Sequence, residues 1–233
     1  MCFSAEADFV AGAAISVVGV ATLTEARAPK ELPLAILPLA FGLHQVTEGF
    51  VWLGLEGETS ASVGRAAMYL YLAFAWAVLP LLAPLAILLV EPLRRRRRVL
   101  TPLVVLGGVV GVLLAYRLVV EDVSARINGH VVEYFGGGGA GGALTAGYVV
   151  ATCGAFLLSS RPYVRWFGVA NAVAVAIVVI VHSQALTSVW CVWAAIVSFL
   201  VYLQLRSWRR AERTRVEQRE PSGAPRDASR VRP

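Results

Sequence analysis

Charge is scarce in this chain and lysine is almost missing. Only 15% of the 233 residues are charged, against about 25% in an ordinary soluble domain. Lys30 is the single lysine and lies between apolar runs, so a photopigment built on a mid-membrane lysine Schiff base is excluded. Cysteine and histidine are equally sparse, three of each, and no CxxC, HxxxH or HExxH spacing supplies a ready-made metal motif. There is no GxSxG elbow, no Ser-His-Asp order and no GxxxxGK[ST] loop, which removes the common hydrolase and nucleotide-binding readings. No internal repeat stands out, so an inverted-repeat transporter is not indicated.

What the chain has is apolar residue in long uninterrupted runs. Hydrophobic residues make up 58% and the mean hydropathy is +0.68. A water-soluble fold cannot hide that much apolar surface, and runs of ~20 residues suffice to cross a ~30 Å hydrocarbon core. Spans are expected near 7–24, 33–55, 65–90, 99–120, 143–160, 163–182 and 186–205. The fold class is therefore all-α, a polytopic bundle of seven transmembrane helices. Residues 1–206 form the membrane domain, and 207–233 form a basic tail of disordered composition with no fold beyond a helical extension.

Linker charge sets the sidedness. The first, third and fifth linkers carry Arg27 and Lys30, Arg94–Arg98, and Arg161 with Arg165; the second and fourth carry Glu56, Glu58, Glu121, Asp122 and Glu133. The positive-inside rule then puts the odd linkers and the tail in the cytoplasm and the N-terminus outside, a multi-pass protein of the cell membrane. The positive charge of Arg206–Arg232 abuts an apolar span and comes with no recognition motif, so nucleic acid is not an expected partner. The first helix lacks a positive n-region and reads as uncleaved, with Ser4 as N-cap and Glu6 and Asp8 complementing the helix dipole. The fourth linker, with Asn128-Gly129, His130 and the tract Gly136–Gly139, reads as an outside connector.

Ionisable groups inside hydrocarbon are costly and so mark candidate sites. His44 and Glu48 stand four residues apart in the second span, on one helical face, where they can share a proton or hold a polar ligand. His182 and Cys191 fall toward the outer ends of spans six and seven, and Cys2 and Ser4 begin on the same side. Cys2, Glu48, His182 and Cys191 thus share one depth band and supply a ligand set suited to zinc or copper. A Cys2–Cys191 disulfide is the competing use of those sulfurs. Removal of Met1 would expose a Cys2 amine and thiol. Interhelical bonding is the structural alternative for the His44/Glu48 pair and the expected role of Asn171. Cys153 reads as a packing residue, and Arg117 with Glu121 as an ion pair at headgroup level. Trp52, Trp190 and Trp193 near the outer boundary, and Trp166 and Trp208 near the inner, suit an aromatic belt, with Trp52 also close enough to line a pocket beside Glu48.

The opening Met1-Cys2-Phe3-Ser4-Ala5, the proline-containing second span and Glu48-Gly49-Phe50-Val51-Trp52 resemble a bacterial family of uncharacterised multi-helix membrane proteins beginning Met-Cys-Phe-Ser-Ala. That resemblance implies the membrane architecture and singles out Cys2, Ser4 and Glu48. Locally, His44 through Phe50 looks like the His-x-x-x-Glu-Gly stretch of emopamil-binding-type sterol isomerases, which implies proton transfer to a lipid-like substrate. Three functions are carried forward. The first is an enzyme or binder for a lipid-like molecule, the second a transporter or channel for a proton-coupled solute or metal ion, and the third a structural or sensory seven-helix protein.

Overall fold

A computed structural model of the protein describes residues 4–136, 142–181 and 186–219. Among the described residues seven helices follow the seven apolar runs: α1 Ala5–Glu25, α2 Leu32–Glu56, α3 Ala61–Val90, α4 Arg94–Val120, α5 Gly142–Leu158, α6 Pro162–Val181 and α7 Leu186–Arg219. Of these, α1, α2, α3 and α4 are long and apolar enough to cross a membrane, by length and composition. Ser4 caps α1, its Oγ accepting from the Ala7 N–H at 3.4 Å. Gly57, at φ 81°, ends α2 in the left-handed conformation that favours glycine. α3 is one helix of three parts, with a π-helical stretch Ala73–Val78 between regular turns. Pro80 and Pro84 follow directly. A proline cannot donate to the carbonyl four residues back and crowds it, so the backbone ahead of Pro80 widens.

The burial pattern is inverted relative to a soluble bundle. α1 buries Asp8, Gly12, Gly19 and Thr22 while Val10 and Val17 are each 71% exposed. On α4, Val112 and Val119 face outward. An apolar exterior around small and polar interior positions suits hydrocarbon as the solvent, where small residues let backbones approach closely. The α1–α2 seam is built this way, from Gly12 and Gly19 on one helix and Gly42 and Gly49 on the other. A Cβ on Gly12 would stand 2.7 Å from Val46 Cγ2 and 2.8 Å from the Gly42 carbonyl oxygen.

Two apolar cores lie along the bundle. One joins Leu34, Leu37, Ile87, Leu100, Phe156 and Leu205. The other joins Ala5, Val51, Trp52, Met68, Leu72, Leu118 and Val132. At the end of the bundle beside the first core, the buried Glu91 carboxylate accepts from the N–H of Leu93 at 3.1 Å and of Ser160 at 2.8 Å, and the Arg96 guanidinium reaches the Leu158 carbonyl at 2.9 Å. These bonds bind the α3–α4 link to the α5–α6 link.

The fourth linker is more than the connector expected, and it makes the fold mostly helical where an all-α chain was predicted. Ser124–Asn128 (β1) and Val131–Phe135 (β2) pair antiparallel across a turn at Gly129, which has φ 62°. The register leaves Gly129-His130 as a two-residue loop, and glycine with positive φ at the first loop position suits a tight hairpin turn. Arg126 and Glu133 are cross-strand partners, with Nη2 to Oε2 at 3.0 Å. Hydrogen bonds from Asn128 and Arg126 hold the Glu133 carboxyl below the usual carboxylate range.

Candidate functional site

The close α1–α2 seam brings Asp8 against the α2 face carrying Gln45, Glu48 and Trp52. Gln45 Nε2 donates to Asp8 Oδ1 at 3.0 Å and to Glu48 Oε2 at 3.4 Å, so one amide joins two carboxyls. All three side chains are buried, and Glu48 is only 1% exposed. Its Oε1 has no hydrogen-bond partner. Trp52, 3% exposed, sits inside the apolar core beneath the hairpin and faces its indole toward Asp8, so it lines the site and takes no place in an exposed aromatic belt.

Two tyrosines close the site. Tyr71, on α3 just before the π-helical stretch, turns its hydroxyl toward the Glu48 carboxyl. Tyr134, on β2, turns its hydroxyl toward the same carboxyl without closing a bond of ordinary geometry. Burial, with the nearby Glu48 and Asp8 charges, raises the Tyr134 hydroxyl well above the ordinary phenol range, so it stays protonated and able to donate. Its position fixes the hairpin as a cover over the site.

His44 shares the helix face of Glu48, yet no hydrogen bond joins them. The imidazole stacks on Tyr71 with ring centroids 3.9 Å apart and 9° between planes, and Tyr71 stacks in turn on Tyr134 at 5.1 Å. Phe74, within the π-helical stretch, closes the other side of the imidazole at 4.9 Å. His44 Nδ1 is buried with no hydrogen-bond partner. The result is an aromatic column of His44, Tyr71 and Tyr134 beside a pair of carboxyls, held between the two apolar cores.

Other predicted residues fall elsewhere. Asn171 on α6 donates from Nδ2 to Cys153 Sγ on α5 at 3.4 Å, a separate contact between those helices. Arg117 and Glu121 pair at 2.9 Å. Ser4 serves as the α1 cap. Cys2 and His182 lie outside the described residues, and Cys191 belongs to a stretch of α7 whose side chains lie outside them too. Among the described residues no group of three or more His, Cys, Asp or Glu side chains is placed to hold a metal ion.

Asp8, Gln45, Tyr71 and Tyr134 are the members that sequence reading missed. The signal for Asp8 was present: it precedes Gly12 by four residues, and with Gly19 these share one stripe of α1. Beside the site, toward the hairpin, a cleft of about 440 Å³ runs between α2, α3 and β1, with Val51, Gly54, Met68, Tyr69, Asp122 and Ser124 on its walls.

The chain belongs to DUF6629, a family of unknown function whose model matches residues 1–217. No curated protein and no solved structure matches it.

Proposed function

We propose that this member of the family is a multi-pass protein of the cell membrane that binds a lipid-like or hydrophobic molecule at the Asp8–Gln45–Glu48 site and exchanges a proton with it. The observation that carries the reading is the unpartnered Oε1 of a carboxyl that is 1% exposed and tied to a second carboxyl through one amide. Burying such groups is costly, and a half-satisfied carboxyl is well suited to give or take a proton from a bound molecule. In this reading Glu48 is the proton-exchanging group, Asp8 and Gln45 set its charge environment, and His44 with Trp52 forms the wall against which an apolar ligand packs. The apolar core around Leu34 and Leu37 closes the site from the cytoplasmic side, and the cleft under the hairpin supplies the approach from the outside. Residues 1–206 span the bilayer seven times with the N-terminus outside, and the remainder is cytoplasmic.

The test uses the full chain in neutral detergent, with thermal unfolding followed in the presence and absence of a lipid extract depleted of anionic phospholipids. Wild type should be stabilised by lipid extract, and Glu48→Gln, which keeps shape and hydrogen bonding, should fold and lose that response. A Glu48→Gln protein that is less stable yet responds as wild type does would sink the proposal. Zinc or copper added in the same assay tests the set Cys2, Glu48, His182 and Cys191.

A proton-coupled transporter is the second reading, favoured by the π-helical stretch Ala73–Val78 that begins two residues after Tyr71. Such irregular turns concentrate at functional sites and let a helix bend. Proton uptake by proteoliposomes that disappears in Glu48→Gln would select it over binding alone.

A further inference from the structure

A second polar site lies at the end of the bundle where α1 stops and α7 runs on. Arg206, Arg209, Arg210 and Arg213 recur at i, i+3, i+4 and i+7, which places them on one face of α7. With Glu25 of α1 they line a cleft of about 320 Å³. Glu25 Oε2 accepts from Arg209 Nη1 at 2.8 Å, which fixes that guanidinium in the wall. One carboxylate therefore faces four guanidiniums.

Beside the cleft the Tyr202 hydroxyl accepts from Arg206 Nη1 at 3.0 Å, while the Arg161, Trp208 and Arg209 side chains add donors. The Arg161 guanidinium lies over the Trp208 ring, 4.5 Å from its centroid. Arg161 Nε, Trp208 Nε1 and Arg209 Nε are all buried without a hydrogen-bond partner. Buried N–H groups are nearly always paired, and guanidiniums match the oxygens of a phosphate in charge and geometry. The surroundings specify what the phosphate is attached to. On α7, Phe199 is exposed about two turns before Arg206 on the same face, with Ile196 exposed beside that face about a turn earlier, while on α1 Val17 and Val20 are exposed short of Glu25. The arginine cleft thus ends an apolar outer wall.

We propose that this cleft binds the phosphate headgroup of an anionic phospholipid, with the acyl chains lying along Ile196 and Phe199. The proposal rests on the membrane reading of the helices and is independent of the Glu48 site.

The experiment titrates the full chain, in neutral detergent, with phosphatidylglycerol, phosphatidylcholine or inorganic phosphate at matched phosphate concentration, reading the unfolding midpoint. Phosphatidylglycerol should stabilise and the other two should not. The variant Arg206→Gln/Arg210→Gln/Arg213→Gln leaves the Arg209–Glu25 pair intact, so its midpoint without lipid should match wild type. Its affinity for phosphatidylglycerol should fall at least about tenfold, since each arginine near an anionic headgroup contributes on the order of one such step or slightly less. A control that removes the same charge elsewhere, Arg94→Gln/Arg95→Gln/Arg98→Gln, should keep wild-type affinity. The proposal is overturned if the cleft variant binds phosphatidylglycerol as wild type does, if both variants weaken equally, or if phosphatidylcholine stabilises as strongly. Equal stabilisation by inorganic phosphate would overturn the lipid as the source of the bound group.

Discussion

The two polar sites of this chain are opposites in sign, depth and means of support. The Asp8–Gln45–Glu48 site is acidic and buried, and it exists because glycines let α1 and α2 approach closely enough for an aspartate to reach across the seam. The arginine cleft is basic, stands at a helix end and is made by one helix face outlasting the apolar core. Buried polar groups interact strongly and cost much when left unpaired, whereas exposed charges are screened within about 10 Å by ordinary salt. The first site is thus specified by packing, and the second chiefly by the spacing of arginines on one helix, to which the fold adds the Glu25 carboxylate of α1.

That contrast can be broken most severely at the seam. Gly12→Val places branched carbons where a single Cβ already meets Val46 and the Gly42 carbonyl. Forcing α1 off α2 should cost about 3 kcal/mol or more, at the upper end for overpacked cores, read as a lower denaturant midpoint. The lipid-extract response of the Glu48 site should vanish while the phosphatidylglycerol response of the arginine cleft survives; loss of both together would mean that the sites are one unit. Next in size, Gln45→Leu removes the donor shared by both carboxyls, and the loss of a buried partner should cost about 1–3 kcal/mol. If the unfolding midpoint of Gln45→Leu stays at the wild-type value, the amide is not what holds the pair. The smallest effect belongs to the opposite end: Glu25→Gln replaces one part-buried ion pair by a neutral hydrogen bond, a loss of about 1 kcal/mol, and should leave phosphatidylglycerol affinity equal or higher. A marked fall in that affinity would show that Glu25 shapes the cleft rather than merely anchoring Arg209.

Legibility in the sequence followed the same division. The seven apolar runs, the Ser4 cap and the His44/Glu48 face could be read directly, because helical period and cap chemistry are local properties of the chain. Asp8 was assigned to the α1 dipole because an acidic first turn has that ordinary use; only its stripe with Gly12 and Gly19 distinguished a buried role. Tyr71 and Tyr134 could not be placed, since their meeting with Glu48 depends on how α3 bends at its π-helical stretch and how the hairpin folds back. The hairpin itself had a readable glycine signal at Gly129, overshadowed by the glycine tract that follows. The arginines were read for topology, and the fold adds that four of them share a cleft with one carboxylate.

The Glu91 carboxylate has a consequence for how the chain assembles. Its second acceptor bond goes to Ser160, 69 residues later. Until the segment bearing Ser160 has been synthesised, half of that side chain's final bonding is missing, and a carboxylate destined to be 2% exposed has to stay in contact with water. α3 and α4 can form in order, but their junction reaches its final burial only once the link between α5 and α6 that carries Ser160 is in place. The junction thereby couples the final packing of the first four helices to the arrival of the link between the fifth and the sixth.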